Sequence, residues 1–370
     1  MSLKEIFCQD RAISILQRAF AAGKSAHAYI FAGPEGVGKF KTACEWAKML
    51  LCKSPVTEDR FADSCGSCQS CRLFEAGSHP DFNPVYKELR EFTQDGKGKE
   101  PPVELPIDVI REFLIAKVPT KPTLSWMKVF IVIEAEKLNA ASQNCLLKVL
   151  EEPPEYCCLI LLCTRLERLL PTTKSRCQTI RFGPIAEERI IERLKEMGIK
   201  EIQSQYWARL ARGSLGTACQ WAQLELAGLN LYETKKQLLT RLLTYRHTDA
   251  LKFAEWLLDE SGKIAATWVN LDESTSKTDI NRRSQKTLVQ IIISALYDAM
   301  KLNIEGTKRI INFDQEEQIV NLASRFGPEQ SAGKIADCYR TVRQIESSVN
   351  EKLIFEQLLL SLAVSDIMRV

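Results

Sequence analysis

The sequence contains two groups of residues whose types and spacing could do chemistry. One is a glycine-rich run at residues 33–39, and the other is a set of four cysteines, Cys52, Cys65, Cys68 and Cys71. Backbone N–H groups in a glycine-rich loop can bind phosphate, and grouped thiolates can bind a metal ion. We therefore expect a phosphate loop and a metal centre, and the surrounding elements must position both.

The glycine run matches the phosphate-binding loop pattern at every position except the last. Gly33, Gly36 and Gly38 would let backbone N–H groups point at phosphate oxygens, and Lys39 would neutralise phosphate charge. The pattern then requires Ser or Thr to hold Mg²⁺, but Phe40 stands there and cannot coordinate a metal. The alternative is an ordinary glycine-rich turn. We expect a phosphate-loop fold without efficient hydrolysis, and nucleotide binding stays open.

Other Mg²⁺ ligands are also scarce. A second buried strand, at residues 128–134, should end in an acidic residue that holds the metal, and Ile133 occupies that position. Only the following acid, Glu134, remains, either as a catalytic group or as a solvated carboxylate at the strand end. Thr42 should point away from the nucleotide, because a helix turns about 100° per residue.

The cysteines are spaced as metal ligands. Cys65, Cys68 and Cys71 are separated by two residues each, a spacing that aims neighbouring sulfurs at one ion, and Cys52 supplies a fourth thiolate. Four soft thiolates suit tetrahedral zinc, and His79 is a possible substitute for Cys52. An iron–sulfur cluster and free thiols are the alternatives. A closed four-ligand zinc site has no open position for substrate, so its role would be structural.

Composition places the chain among ordinary globular proteins. Its 370 residues are 45% hydrophobic and 26% charged, with a formal net charge of +3, which is too small to indicate nucleic-acid binding by itself. The N-terminus lacks the features of a signal peptide, and the longest apolar run, at residues 157–163, is too short to span a bilayer. These features predict a cytoplasmic protein whose thirteen cysteines stay reduced.

The elements that would position these residues alternate between strands and helices in the first half of the chain. The predicted strands lie at residues 29–32, 128–134, 157–164 and 178–182, and the intervening helices at residues 42–51, 108–116 and 142–152. Residues 88–102 are predicted as a loop. Short apolar strands alternating with helices indicate a parallel sheet covered on both faces.

Helical patterns dominate after residue 184. They occur at residues 190–197, 206–212, 238–243, 251–258, 288–302 and 353–364, with a polar loop predicted at residues 274–284. We expect an α/β domain at residues 1–182 with its cysteine module at residues 52–71. A small helical domain at residues 183–224 and a helical bundle at residues 225–370 should follow.

Five segments together resemble one protein family. They are residues 27–39, the four-cysteine segment, and residues 79–81, 146–154 and 175–177, in that order. The series resembles the AAA+ subunits of the bacterial DNA polymerase III clamp loader, the delta-prime and gamma/tau proteins. The resemblance covers most of residues 1–182 and does not depend on a single motif. It implies an AAA+ domain with a zinc-binding insertion, a helical lid and an all-α collar.

The resemblance also implies roles for individual residues. In this family a pentameric loader uses ATP to open the ring-shaped sliding clamp and place it on primed DNA. Arg176 would be an arginine finger that reaches the ATP of a neighbouring gamma/tau subunit. Phe40 and Ile133 replace Mg²⁺-binding groups, and Gly216 falls where active subunits carry a nucleotide-sensing arginine. This pattern of losses resembles delta-prime, the non-hydrolysing subunit.

The implied partners are the gamma/tau and delta subunits, with the sliding clamp and primer–template DNA reached through the complex, and no membrane. The implied place is the cytoplasmic, nucleoid-associated replisome. One alternative is an active gamma/tau-type ATPase, which Lys39 and Glu134 favour and the three losses disfavour. Another is a free-standing zinc module that binds nucleic acid. The cysteine segment carries few basic residues, which argues against it.

Overall fold

A computed structural model describes residues 3–58, 61–94, 103–271, 275–305, 309–347 and 350–363. The chain forms two compact units, Met1–Ile185 and Ala186–Val370. The domain limits predicted at residues 182 and 224 stay predictions.

The first unit is built on a parallel sheet. Its strands are β1 (Ala28–Ala32), β2 (Val56–Glu58), β3 (Phe61–Asp63), β4 (Phe82–Val85), β5 (Lys128–Val132), β6 (Cys157–Cys163) and β7 (Gln178–Arg181). Five of them pair in the order β4-β5-β6-β1-β7, and β2 and β3 form a separate antiparallel pair. The helices are α1 (Asp10–Ala21), α2 (Lys39–Leu51), α3 (Gln69–Glu75), α4 (Ile107–Ile110), α5 (Ala140–Glu151) and α6 (Pro171–Lys174).

Both faces of the sheet are covered, as a parallel sheet requires. In β1, Tyr29 and Phe31 belong to one buried cluster, and Ala28, Ile30 and Ala32 belong to the other. Strands β5 and β6 alternate between the same two clusters. The predicted α/β fold with a parallel sheet is therefore confirmed.

Some elements differ from the sequence prediction. Strand β4 was not predicted, because it is an edge strand that contains Pro84 and is only half-buried along most of its length. The helix predicted at residues 108–116 is a short α-turn that continues as a π-helical turn over Arg111–Ile115. In the loop predicted at residues 88–102, Lys87–Phe92 form a 3₁₀ turn, and residues 95–102 lie outside the described residues.

The second unit is helical throughout its described residues. Its helices are α7 (Glu187–Glu196), α8 (Glu201–Ala211), α9 (Leu215–Leu226), α10 (Leu231–Thr244), α11 (Ala250–Leu271), α12 (Lys277–Glu305), α13 (Glu316–Arg325), α14 (Pro328–Glu346) and α15 (Glu351–Leu362). The loop predicted at residues 274–284 is wrong, because α12 already begins at Lys277. The Ser276 hydroxyl accepts a hydrogen bond from the Asp279 N–H (3.2 Å) and donates to the Asp279 carboxylate (2.9 Å), which caps the helix start.

One segment, Lys277–Ile304 within α12, is long and apolar enough to span a bilayer on length and composition alone. Of its most apolar window, 61% is buried inside the protein. It packs against α11, α13 and α14 of the same unit. A buried central helix of a globular bundle has the same composition.

Candidate functional site

The glycine loop lies at the edge of the sheet where the parallel strands end. The Gly33 N–H donates to the carbonyl oxygen of Cys163 at the end of β6 (3.2 Å), and the Phe182 N–H donates to the carbonyl oxygen of Ala32 at the end of β1 (2.8 Å). Strand β5 ends at the same edge, since it pairs in parallel with β6. This edge is where open α/β sheets bind ligands.

The three glycines of the loop are required for two different reasons. A Cβ at Gly33 would lie 2.4 Å from the backbone oxygen of Phe182, so this position has no room for a side chain. Gly36 and Gly38 have φ angles of 70° and 99°, in the left-handed region that favours glycine. Helix α2 begins directly after Gly38, and its first N–H groups have no acceptor within the helix. The backbone part of a phosphate site is therefore present.

Lys39 is folded onto the loop itself. Its Nζ donates to the carbonyl oxygens of Gly33 (2.6 Å) and Pro34 (2.5 Å), and the residue is only 8% exposed. Burial lowers the pKa of Lys39, while the nearby carboxylates of Glu136 and Glu35 act in the opposite direction. Two of the three ammonium hydrogens are thus committed to the loop carbonyls.

The residues at the predicted Mg²⁺ positions do not provide metal ligands. The Phe40 ring is exposed (49%), and Ile133 packs against the core on one face of the sheet. The Thr42 hydroxyl donates to the carbonyl oxygen of Gly38 (2.9 Å), as expected for a residue turned into its own helix. The loop therefore fits a phosphate group but lacks the hydroxyl and the first acid that hold Mg²⁺ in the phosphate-loop pattern.

A second carboxylate after β5, that of Glu136, interacts with the loop lysine. Glu134 has a left-handed backbone (φ 55°) and its carboxylate pairs with Lys137 (2.6 Å). Glu136 instead accepts a hydrogen bond from the Thr164 hydroxyl (2.5 Å) and interacts electrostatically with Lys39. Its second carboxylate oxygen is buried without a hydrogen-bond partner among the described residues. No sequence signal distinguishes these acids, because the partner of each is set by the turn after β5.

The four cysteine sulfurs converge. The Sγ atoms of Cys52, Cys65, Cys68 and Cys71 lie within 4.8 Å of one another. The Sγ of Cys52 lies 3.5 Å from that of Cys65 and 3.9 Å from that of Cys68, and the sulfurs of Cys65 and Cys71 are 4.0 Å apart. Tetrahedral zinc with Zn–S bonds of about 2.3 Å places its sulfurs about 3.8 Å apart. The arrangement can hold a metal ion, and the thiolate donor set fits zinc.

Backbone N–H groups point at these sulfurs. The N–H groups of Cys65, Cys68 and Cys71 donate to the sulfurs of Cys52, Cys65 and Cys68 in turn (3.3–3.5 Å). Hydrogen bonds led by that from the backbone N–H of Ser67 lower the pKa of Cys65 to about 6. Burial raises the pKa of Cys52 and of Cys71. The thiolate forms of Cys52 and Cys71 thus need a cation more than that of Cys65 does.

His79 is engaged next to the cysteines but outside their cluster. Its Nε2 lies 2.8 Å from the Ser70 hydroxyl and 3.3 Å from the Ser125 hydroxyl, and its Nδ1 accepts the Asp81 N–H (3.1 Å). Both hydroxyls also contact the carbonyl oxygen of Leu51 at the end of α2 (2.7 Å). This buried network connects the cysteine segment to the sheet. Residues 79–81 therefore have a structural role.

Asp81 completes this network. Its carboxylate accepts the backbone N–H groups of Thr123 (2.6 Å), Leu124 (2.8 Å) and Ser125 (2.8 Å). Burial alone would raise the pKa of Asp81, but these three hydrogen bonds hold it below its usual value. An ionised Asp81 therefore fixes the segment that leads into β5.

Arg176 lies apart from the loop and the cysteines, on the turn between α6 and β7. Its Nη2 pairs with the Glu151 carboxylate (2.7 Å), and its Nη1 donates to the carbonyl oxygen of Thr172 (3.0 Å). The side chain is 34% exposed, while the next residue, Cys177, packs against the core. The backbone is therefore anchored, and the guanidinium remains accessible at the surface.

Gly216 lies in the second unit, in the first turn of α9. The helix is capped by Ser214, whose hydroxyl accepts the Thr217 N–H (3.3 Å). Glycine supplies no charge at this position, so the residue cannot contact a phosphate through a side chain.

Two family models match the chain. One, described as DNA polymerase III, delta subunit, matches residues 8–186, and the other, described as DNA polymerase III, delta subunit, C terminal, matches residues 278–363. Together they cover more than half of the chain and include the glycine loop, the cysteine cluster and the arginine turn.

Curated relatives carry related names. The DNA polymerase III subunit delta' of Pseudomonas aeruginosa is 39% identical over 152 residues, which are 41% of this chain and 42% of that protein. The subunit delta' of Bacillus subtilis is 24% identical over 360 residues, 96% of each chain. The DNA polymerase III subunit tau of Escherichia coli is 27% identical over 272 residues, which are 72% of this chain and 39% of that protein. The chain thus spans less than half of the Pseudomonas and tau relatives.

Among solved structures, a gamma-subunit-related protein of DNA polymerase III from Thermotoga maritima aligns with 94% of this chain and 97% of that one. The TM-score is 0.44 and the sequence identity 19%.

Proposed function

Because the chain belongs to the DNA polymerase III delta-subunit family, we propose that it acts as the delta-prime subunit of a clamp loader. In this role it hydrolyses no ATP itself and supplies Arg176 to a neighbouring ATPase subunit while the loader places the sliding clamp on primed DNA. The resemblance stated from the sequence is confirmed at the level of the family. The division of labour between subunits is our proposal.

The observation that carries the proposal is the contrast between the loop and the arginine turn. At the loop, Phe40 and Ile133 stand where the Mg²⁺ ligands would be, and Lys39 is bonded to loop carbonyls. At the turn, Arg176 has an anchored backbone and an accessible guanidinium. An arginine finger needs this combination, since it must reach a phosphate on another subunit from a fixed position.

We further propose that the four cysteines hold structural zinc. The sulfur separations match those around a tetrahedral ion, and the N–H groups that point at the sulfurs stabilise thiolates. When bound, zinc would close the segment that carries the cysteines and the short helix α3. No substrate position is left open by four protein ligands, so the metal serves stability and shape.

The proposed partners follow from the relatives. Proteins named delta' and tau, both subunits of DNA polymerase III, match this chain over long ranges. We propose contacts with gamma/tau and delta subunits, with the sliding clamp and primer–template DNA reached through the complex in a cytoplasmic replisome.

Substitution of Arg176 tests the proposed finger. In a reconstituted loader, Arg176→Ala should lower the DNA-stimulated kcat for ATP by about 10³-fold at the affected site, because the phosphate charge in the transition state loses its partner. The observed loss will be smaller if other ATPase sites turn over independently. Arg168→Ala, at another exposed arginine of the same segment, is the matched control and should leave turnover unchanged. Full turnover with Arg176→Ala would refute the finger.

The alternative function is an active gamma/tau-type ATPase, which the retained Lys39 and Glu134 favour. The isolated chain with ATP and Mg²⁺ distinguishes the two. Turnover that Lys39→Ala abolishes would establish the alternative, whereas no turnover above the level without protein supports the non-hydrolysing role.

A further inference from the structure

Two sets of contacts position Arg176. Buried hydrogen bonds hold the backbone of its segment, and exposed contacts hold its side chain. The buried side chain of Gln143 on α5 donates from Nε2 to the carbonyl oxygen of Arg168 (3.2 Å) and accepts the Leu170 N–H (2.7 Å). These two hydrogen bonds fix the start of α6 against α5. The turn that carries Arg176 therefore has a set position whatever its side chain contacts.

The side chain of Arg176 is held at Nη2 by Glu151 and at Nη1 by the Thr172 carbonyl oxygen. The Arg176 Nη2 lies 2.7 Å from the Glu151 Oε1, and the two side chains are 34% and 49% exposed. An ion pair this exposed contributes little to stability, because water and salt compete with it. It can therefore be exchanged for another anion at small cost.

The position of Glu151 in its helix explains why it binds a cation. Glu151 is the last residue of α5, which stops before Pro153 and Pro154. A carboxylate at the C-terminal end of a helix is disfavoured by the partial negative charge of the unpaired carbonyl groups. The Arg176 guanidinium offsets this charge, so the pair serves Glu151 as well as Arg176.

We propose that Glu151 is a positioning residue that latches Arg176 in the unassembled subunit. Assembly with a nucleotide-bearing neighbour exchanges the Glu151 carboxylate for phosphate oxygens. A bidentate contact with phosphate needs Nη2 together with a second guanidinium nitrogen, so it displaces the Glu151 carboxylate from Nη2. This inference rests on the proposed finger role of Arg176, and it adds a regulated step to that site.

The variant Glu151→Gln keeps the size of the side chain and removes its charge. Without the latch, extending the finger no longer requires breaking an ion pair, so kcat/KM of the reconstituted loader for ATP should rise about two- to fivefold. A merely structural role for Glu151 would leave kcat/KM unchanged or lower it. The matched control is Glu152→Gln at the adjacent exposed acid, for which the described part of the chain shows no ion pair, and it should have no effect.

Two further measurements separate the latch from the finger. The gain from Glu151→Gln should vanish in an Arg176→Ala background, because the two residues act through each other. In the full isolated chain, NMR of the arginine side chains should show that the Arg176 guanidinium rotates faster in Glu151→Gln than in the unaltered protein, where Glu151 holds Nη2 and the Thr172 carbonyl oxygen holds Nη1. If Arg176→Ala lowers turnover but Glu151→Gln does not raise kcat/KM, the latch is refuted and the finger stands. If Arg176→Ala has no effect, both are refuted.

Discussion

At the scale of single residues, Lys39 shows that a motif lysine can have a structural partner in place of a phosphate. Its ammonium group donates to the carbonyl oxygens of Gly33 and Pro34, and its side chain is buried. The same residue type in the same pattern would be assigned to phosphate binding from sequence. The hydrogen bonds suggest that it stabilises the loop itself.

This geometry predicts a stability effect that does not depend on nucleotide. Lys39→Met keeps most of the apolar chain and removes two charge-assisted hydrogen bonds, so we expect the free energy of unfolding to fall by about 1–3 kcal/mol. Urea denaturation of the nucleotide-free protein measures it. Lys41→Met, at the neighbouring exposed lysine, should change the value by less than about 0.5 kcal/mol. Equal stability of the two variants would show that Lys39 does not hold the loop in solution.

At the scale of elements, the first glycine of the loop is required by the packing of two strand ends. The end of β1 passes so close to the end of β7 that a Cβ at Gly33 would meet the Phe182 oxygen at 2.4 Å. The glycine is therefore needed for the fold even if no phosphate ever binds. A degenerate loop can keep this glycine for that reason alone.

The corresponding prediction is that Gly33→Ala destabilises the protein. A backbone oxygen cannot move aside as a side chain can, so the ends of β1 and β7 must shift, at a cost of about 1–3 kcal/mol or more. Gly183→Ala is the control, because a Cβ there has nothing within 4 Å. Thermal unfolding of both variants, followed by circular dichroism, compares them. A melting temperature of Gly33→Ala equal to that of Gly183→Ala would contradict the close approach.

At the scale of the whole molecule, the cysteine cluster is joined to the sheet through the network of Ser70, His79 and Ser125. These side chains meet at the end of α2, one residue before Cys52. A metal held by the cysteines would therefore stabilise the packing of the cysteine segment against the rest of the first unit. Loss of the metal should therefore also weaken the packing of residues outside the four ligands.

Metal affinity should fall as the pH falls. The raised pKa values of Cys52 and Cys71 mean that both are protonated near neutral pH without metal, so binding must release their protons. Cys65, with a pKa of about 6, is already a thiolate there. We expect the apparent zinc affinity to rise at least about 100-fold per pH unit between about pH 6.5 and 8, because Cys52 and Cys71 each release one proton and each released proton contributes a factor of about ten.

Competition with a chromophoric chelator across this pH range measures the affinity. Cys71→Ser should lose the bound metal, and Cys163→Ser, at a buried cysteine outside the cluster, should retain it. An affinity that does not change with pH would contradict the proton release.

In the second unit, cationic side chains on α8 and α10 join these helices to the segment before α13. The Arg209 guanidinium on α8 donates to the carbonyl oxygen of Ile310 (2.7 Å) and lies over the Phe313 ring (4.6 Å). Lys235 on α10 pairs with the Asp314 carboxylate (2.7 Å) and lies over the Tyr206 ring of α8 (4.4 Å). Contacts from distant parts of the chain thus converge on residues 309–315, and sequence spacing gives no sign of them.

The sequence by itself determined what depends on local pattern. Apolar runs at the positions of β1, β5 and β6 predicted buried parallel strands, because a strand covered on both faces must be apolar throughout. The spacing of the cysteines predicted their convergence for a similar reason, since two intervening residues form a turn that aims both sulfurs at one point. The ordered series of motifs also indicated the family.

The tertiary structure decided what depends on approach between distant segments. It brought the Glu136 carboxylate to the Thr164 hydroxyl just after β6 (2.5 Å), where it interacts electrostatically with Lys39, whereas Glu134 pairs with Lys137. It paired Arg176 with Glu151, which lies 25 positions earlier, because a buried Gln143 fixes α6 against α5. Residue types and spacing show which chemistry is available, but only packing shows which groups meet.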